Sequence, residues 1–293
     1  MSRFVALVLI VSLFAPVDLF AEENRKTVVF EIPRAPLTSF QKARLPAGHT
    51  NPAGRKLSAA LIVPPGEGRV PAVVLVRTCH DSRYYQPWTD RLHAWGYATL
   101  MFSRCQPPDF QPVDNKVASL DWKEGALAAY GALKFMQAHP RILPDRIGLI
   151  AWSRLGMIPL SVFNPEGAAQ FFTERFAAAI AVYPFCSFAR GPHEGPILVL
   201  SAGKDDWVDP HVCARMARLT ANDRVSVEFR LYPDAVHGFD IEAFGAPRFV
   251  GQEINPDGFA AGGGTLGFSR SAQARAIEEV RSFLTRYLSP TGG

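Results

Sequence analysis

The chain is 293 residues long with 48% hydrophobic residues, enough to bury a substantial core, and no repeat or break in composition divides it, so one large domain is the economical organisation. Its formal charge of +4 comes from 31 basic residues scattered among 27 acidic ones. That distribution lacks the basic stripe of a nucleic-acid binder and excludes that class.

In chain order, the first feature is an address. Arg3 precedes an apolar run from Phe4 to Phe14 interrupted only by Ser12, and Ala15-Pro16 and a candidate cleavage point after Ala21 follow. This is the three-part pattern of a secretory signal, residues 1–21, and it predicts a secreted or periplasmic protein. The run is too short to span a bilayer comfortably. Leu19 is not the ideal small residue ahead of the cut, so an uncleaved anchor is the alternative. Loss of residues 1–21 removes Arg3 and Asp18 together and leaves the net charge at +4.

Residues 22–53 read as an N-terminal strand, Thr27 to Ile32, with a polar, Pro-containing extension. Alternation from Leu57 to Val63 predicts a second strand that Pro64-Pro65-Gly66 ends. Ala72 to Val76 is an apolar run of the kind found in a central strand buried on both faces. Trp88 to Trp95 has helical spacing, closes at Gly96 and feeds a strand at Tyr97 to Phe102. A long helix is expected from Ser119 to Ala138, with Leu120, Leu127, Leu133 and Phe135 on its buried side and Pro140 as its stop. Further strands are expected at Phe176 to Tyr183, Ile197 to Ser201 and, nearer the sheet edge, Val225 to Tyr232. A serine-capped helix from Ser271 to Tyr287 closes the chain. Strands alternating with helices predict an α/β fold with a mostly parallel central sheet and helices on both faces. In such folds chemistry gathers at the carboxyl ends of the strands.

Four cysteines suit an oxidising compartment and allow three pairings. Cys79 and Cys105 each follow a predicted strand end by three residues, Cys186 lies just past another strand, and Cys213 follows the next. If those strands are neighbours, Cys79–Cys105 and Cys186–Cys213 are the pairs that geometry favours. No C-x-x-C or His cluster accompanies them, so the spacing is not that of a metal site.

Asp145 to Gly156, D-R-I-G-L-I-A-W-S-R-L-G, organises the rest. Ile147, Leu149 and Ile150 form a buried strand, and the residues after it predict a sharp turn with Ser153 at its apex. A serine hydroxyl is a weak nucleophile until such a turn exposes it to a histidine and to backbone N–H donors. The usual G-x-S-x-G is here Ala151-Trp152-Ser153-Arg154-Leu155, and the one glycine is Gly156. Beyond the strand at Ile197 comes G-K-D-D-W, and beyond Tyr232 comes P-D-A-V-H-G-F. Ser153, then Asp205 or Asp206, then His237, each after a strand, is the chain order of an α/β-hydrolase.

A-W-S-R-L-G, F-A-A-A-I-A-V-Y-P-F-C, P-I-L-V-L-S-A-G-K-D-D-W and Y-P-D-A-V-H-G-F-D together resemble the dienelactone hydrolase family, in its exported branch that uses serine in place of cysteine. The resemblance covers roughly residues 54–288 and implies an α/β-hydrolase fold for residues 54–293. It implies cleavage of a small-molecule carboxylic ester or lactone by Ser153, His237 and an aspartate, with no metal or organic cofactor. After signal removal no stable membrane insertion is expected. Pro196, Trp207 and Cys213 as landmarks point to Asp205; counting from Gly203 or back from Pro210 points to Asp206. Asp205 is the preferred triad acid.

The chain departs from the family most at the oxyanion loop, where H-G-C-G-G is replaced by Arg77-Thr78-Cys79-His80-Asp81. Backbone N–H groups form such a hole, so Cys79 and Arg154 remain the expected donors. The lost glycines, and Leu155 in a position usually kept small, are expected to restrict the backbone and crowd the pocket. A catalytically weak or inactive binding protein on the same fold is therefore the alternative. His80, Tyr84, Tyr85, Arg104, Trp152 and Trp207 are expected around the opening, where aromatics and basic groups suit a substrate with apolar bulk and a carboxylate. The glycine-rich segment from Gly245 to Thr265 is either a flap near His237 or surface loop. His139 and His193 read as loop residues without a role.

Overall fold

The computed structural model describes residues 25–34, 54–78, 81–103, 122–186, 192–220, 227–251 and 263–289. The expected signal, Cys79, His80, Arg104, Cys105 and Leu120 lie outside them. Among the described residues, one eight-stranded sheet runs in the order β1-β2-β4-β3-β5-β6-β7-β8. The strands are β1 Lys26–Glu31, β2 Lys56–Ile62, β3 Val70–Arg77, β4 Ala98–Ser103, β5 Ile142–Trp152, β6 Ala178–Val182, β7 Ile197–Ala202 and β8 Val227–Tyr232. β1 pairs antiparallel with β2, and β2 with β4, whereas β3 to β8 are mutually parallel.

The inner parallel strands are largely apolar because helices cover both faces, whereas β8 at the sheet edge carries Glu228 and Arg230 and leaves Leu231 exposed. Every residue of β4, β6 and β7 is buried. Helix α1 (Gln86–Ala94) leads into β4, α2 (Trp122–Gln137) into β5, α3 (Met157–Val162) follows β5, α4 (Pro210–Thr220) follows β7, and α5 (Arg270–Leu288) closes the chain. Ala126, Ala129, Leu133 and Met136 of α2 join Val74 and Leu149 in one core layer, while Trp88, Leu92, Val280 and Phe283 join Leu75 and Ile150 in the other. Leu133 is thus on the buried side of α2 as expected, but Leu127 and Phe135 are only partly buried at its margin. Small alanines replace them because α2 lies close against the sheet. No helix among the described residues is long and apolar enough to cross a membrane.

Three details differ from expectation. Helix α5 begins a residue earlier and is capped by Ser269, whose hydroxyl accepts from the Ala272 N–H, rather than by Ser271. Cys213 lies inside α4, an element the sequence did not announce, although its disulfide to Cys186, across a Cα–Cα distance of 5.0 Å, is the expected pair. The segment expected as a flap or loop contains two short antiparallel strands, β9 (Arg248–Val250) and β10 (Gly264–Leu266).

Candidate active site

β5 ends at Trp152 in extended conformation, and the chain then folds into a 3₁₀ turn, Ser153–Gly156, that leads directly into α3. Ser153 sits in the left-handed region at φ 57°. A non-glycine residue holds such a backbone only when its surroundings over-determine it, and such positions concentrate at functional sites. Ala151 and Leu155 stand where glycines were expected, yet the Leu155 side chain is buried in the core beneath α2 rather than directed into the opening. The opposite helix packs closely here, though on Ile158 rather than on Leu155: a Cβ on Gly125 would lie 2.7 Å from Ile158 Cδ1 and in ordinary contact, 4.0 Å, with Leu155 Cδ2. The expected crowding by Leu155 is avoided because its side chain packs into the core.

His237 Nε2 lies 2.9 Å from Ser153 Oγ, and His237 Nδ1 lies 2.8 Å from Asp205 Oδ2. The other Asp205 oxygen accepts from the backbone N–H groups of Trp207 and Val208, each at 3.0 Å, which fixes the carboxylate's orientation. Asp206 faces elsewhere: its two oxygens accept from the Thr265 N–H at 2.7 Å and the Thr265 hydroxyl at 2.8 Å. The two loops that carry Asp205 and His237 are joined by backbone bonds from Gly203 N–H to Tyr232 O and from Lys204 N–H to Ala235 O. β10 braces the histidine from the other side, through the His237–Leu266 bridge and a bond from the Gly267 N–H to the His237 carbonyl.

The imidazole lies between two rings, Tyr183 at 4.4 Å and Trp207 at 4.9 Å between centroids. Tyr183 follows β6 and has φ 40°, the second non-glycine residue in the left-handed region among those described. Its hydroxyl donates to Asp240 Oδ1 at 2.8 Å. Asp240 Oδ2 accepts from the indole N–H groups of Trp88 at 2.7 Å and Trp152 at 2.9 Å. Burial pushes the Asp240 carboxyl up from the ordinary carboxylate range, and these donors oppose that rise. An indole N–H can only donate, so Oδ2 bears no proton. Three hydrogen bonds to a charged acceptor, about 1.5–3 kcal/mol each, are of the size needed to offset a desolvation penalty of several kcal/mol. Burial also keeps the Tyr183 phenol protonated, with its O–H available to donate to Oδ1.

Of the residues expected around the opening, Trp152 and Tyr85 are buried packing residues instead, with rings 5.0 Å apart. Tyr84 is half-buried against Phe244, and Trp207 is half-buried against His237. Tyr85 holds the end of β3 through a 2.7 Å bond with the Thr78 hydroxyl, just ahead of Cys79. Arg154 is the second residue of the 3₁₀ turn, where backbone N–H groups have no acceptor within the turn. Tyr183 and Asp240 were not singled out from the sequence, and β10 fell at the end of the segment read as a flap or loop. Asp240 closes the stretch Y-P-D-A-V-H-G-F-D, and its only local signal is an acid in an otherwise apolar turn.

Solved structures with the same fold include the dienelactone hydrolase-like promiscuous phosphotriesterase from metagenomic libraries, with 15% identity, TM-score 0.58, and 91% of this chain and 100% of that one covered. The carboxylesterase Cest-2923 from Lactobacillus plantarum WCFS1 has 16% identity and TM-score 0.56 over 83% of this chain and 98% of its own. The thermophilic esterase from Thermogutta terrifontis has 14% identity and TM-score 0.55 over 89% and 98%. No curated relative matches the chain. The model of the dienelactone hydrolase family matches residues 57–288. With that match over most of its length, and the α/β-hydrolase fold beneath it, the chain belongs to the dienelactone hydrolase family and is a hydrolase.

Proposed function

We propose that this hydrolase is exported and cleaves a carboxylic ester or lactone through an acyl-enzyme on Ser153. The observation that carries the reading is the continuous hydrogen-bond chain Ser153–His237–Asp205, with the serine held at the apex of the strand-to-helix turn. His237 with its proton on Nδ1 donates to Asp205 and leaves Nε2 to accept the Ser153 proton. Ser153 Oγ then attacks the carbonyl carbon, and the imidazolium returns the proton to the departing alkoxide oxygen. Water, deprotonated by the same nitrogen, attacks the acyl-enzyme and releases the acid and free serine. Asp205 holds the ring in that tautomer and stabilises its positive charge, and backbone N–H groups of Cys79 and Arg154 receive the oxyanion. The signal-like residues 1–21 support export.

Fluorophosphonate labelling of the protein lacking residues 1–21, with peptide mapping, tests the reading. Labelling at Ser153 that disappears in a folded Ser153→Ala variant is the expected result. Absence of labelling in the well-folded wild type, or labelling that persists in Ser153→Ala, would overturn it.

A further inference from the structure

We propose that Asp240 is a positioning residue for the triad, holding the strand that enters the nucleophile turn and the ring packed on His237 in one fixed relation through Trp152 and Tyr183. The proposal rests on the reading of Ser153, His237 and Asp205 as the triad. Asp240 follows His237 by three residues, so the turn that delivers the imidazole also delivers this carboxylate. Its oxygens gather three donors from three elements: Trp88 in α1, Trp152 at the end of β5, and Tyr183 beyond β6. Gln273 of α5 adds a fourth tie, to the Asp240 backbone carbonyl at 2.8 Å.

Ser153 and Tyr183 are the non-glycine residues with positive φ among those described, and this one carboxylate ties the chain at both places. Tyr183 is held by its own hydroxyl, and Ser153 through its immediate neighbour Trp152. Strained backbone persists where neighbouring structure fixes it, and Asp240 is the common fixed point. Apolar residues of similar volume would fill the same space without burying a charge. Only a carboxylate presents two acceptor oxygens and no donor to two indoles and a phenol at once. Asparagine has nearly the same shape but offers one oxygen, and its NH₂ group faces N–H or O–H donors.

The test compares Asp240→Asn, Tyr183→Phe, their double variant and Trp88→Phe in the protein lacking residues 1–21. Steady-state hydrolysis of p-nitrophenyl acetate, the rate of fluorophosphonate labelling and thermal melting are measured for each. Because sub-ångström displacement of reacting groups is costly, Asp240→Asn and Tyr183→Phe should each lower kcat about 10- to 100-fold, with KM moving less than about three-fold. The double variant should be little worse than Asp240→Asn alone, since both changes cut the same path. Trp88→Phe removes a donor that touches neither Ser153 nor His237; it should lower Tm while kcat stays within about three-fold. A folded Asp240→Asn with wild-type kcat, or a Trp88→Phe variant that loses as much kcat as Tyr183→Phe, would overturn the proposal. If Asp240→Asn does not fold, the contrast between Tyr183→Phe and Trp88→Phe decides it. Failure of the triad reading is visible separately, as a wild-type protein that neither labels nor turns over.

Discussion

Asp205 and Asp206 are adjacent acids in one turn, and what separates them is the direction each side chain takes. Asp205 is held on His237 by two backbone N–H groups, whereas Asp206 ties the turn to Thr265. Asp205→Asn should therefore cost kcat/KM about 10⁴-fold by permitting the wrong imidazole tautomer. Asp206→Asn should stay within about tenfold, because it weakens a brace outside the proton path. Steady-state kinetics on both variants checks the pair, and the reverse ranking would exchange their roles. Gly264 illustrates the same reliance on contacts far apart in sequence: a Cβ there would lie 1.3 Å from Trp207 Nε1. Gly264→Ala must displace the indole from His237, and overpacking of this kind should cost roughly 1–3 kcal/mol. Urea unfolding would read the loss, with Trp207 fluorescence reporting the movement.

Among the elements, strands such as β3 and β7 were legible because burial on both faces makes a continuous apolar run. Helix α4 was not, although Cys213, Met216, Ala217 and Thr220 recur at helical spacing on its buried side. Its stripe includes small and polar residues, whose burial comes from the helix packing against β7 and β8. Three-residue strands such as β9 and β10 leave too little pattern to detect, and β10 is placed by its bonds to the histidine loop. The Cys186–Cys213 disulfide closes a sequence separation of 27 residues and joins the segment beyond β6 to α4, which follows the Asp205 turn. Loop-closure entropy for such a link corresponds to about 3–4 kcal/mol. Replacing both cysteines by alanine should lower the stability from urea unfolding by that order. An unchanged midpoint would show that the loop is already constrained by packing.

For the whole molecule, acid is the informative stress. His193 is buried with no hydrogen-bond partner on either ring nitrogen among the described residues, and burial pulls its titration down from 6.5 to about 4. Below pH 6.5 the unfolded chain takes up a proton at this position that the folded chain refuses, so the folded state loses relative stability. The contribution is fully present above pH 6.5 and is lost as pH falls toward about 4, amounting to roughly 3 kcal/mol in all. Urea midpoints between pH 7 and pH 4 should fall less steeply in His193→Leu than in the wild type. Parallel slopes would place the acid sensitivity in the carboxylates instead.

The sequence by itself determined the alternation of elements, the parallel sheet and the order of serine, acid and histidine, because these depend on local periodicity and on short turns after apolar runs. It also carried enough of the family's motifs to indicate the fold. It left the choice between adjacent aspartates, the burial of Leu155 in the core and the convergence of three donors on Asp240 to the tertiary structure. Each of these depends on side chains brought together from distant strands and helices, and a linear pattern contains no term for where a carboxylate points once the chain has closed around it.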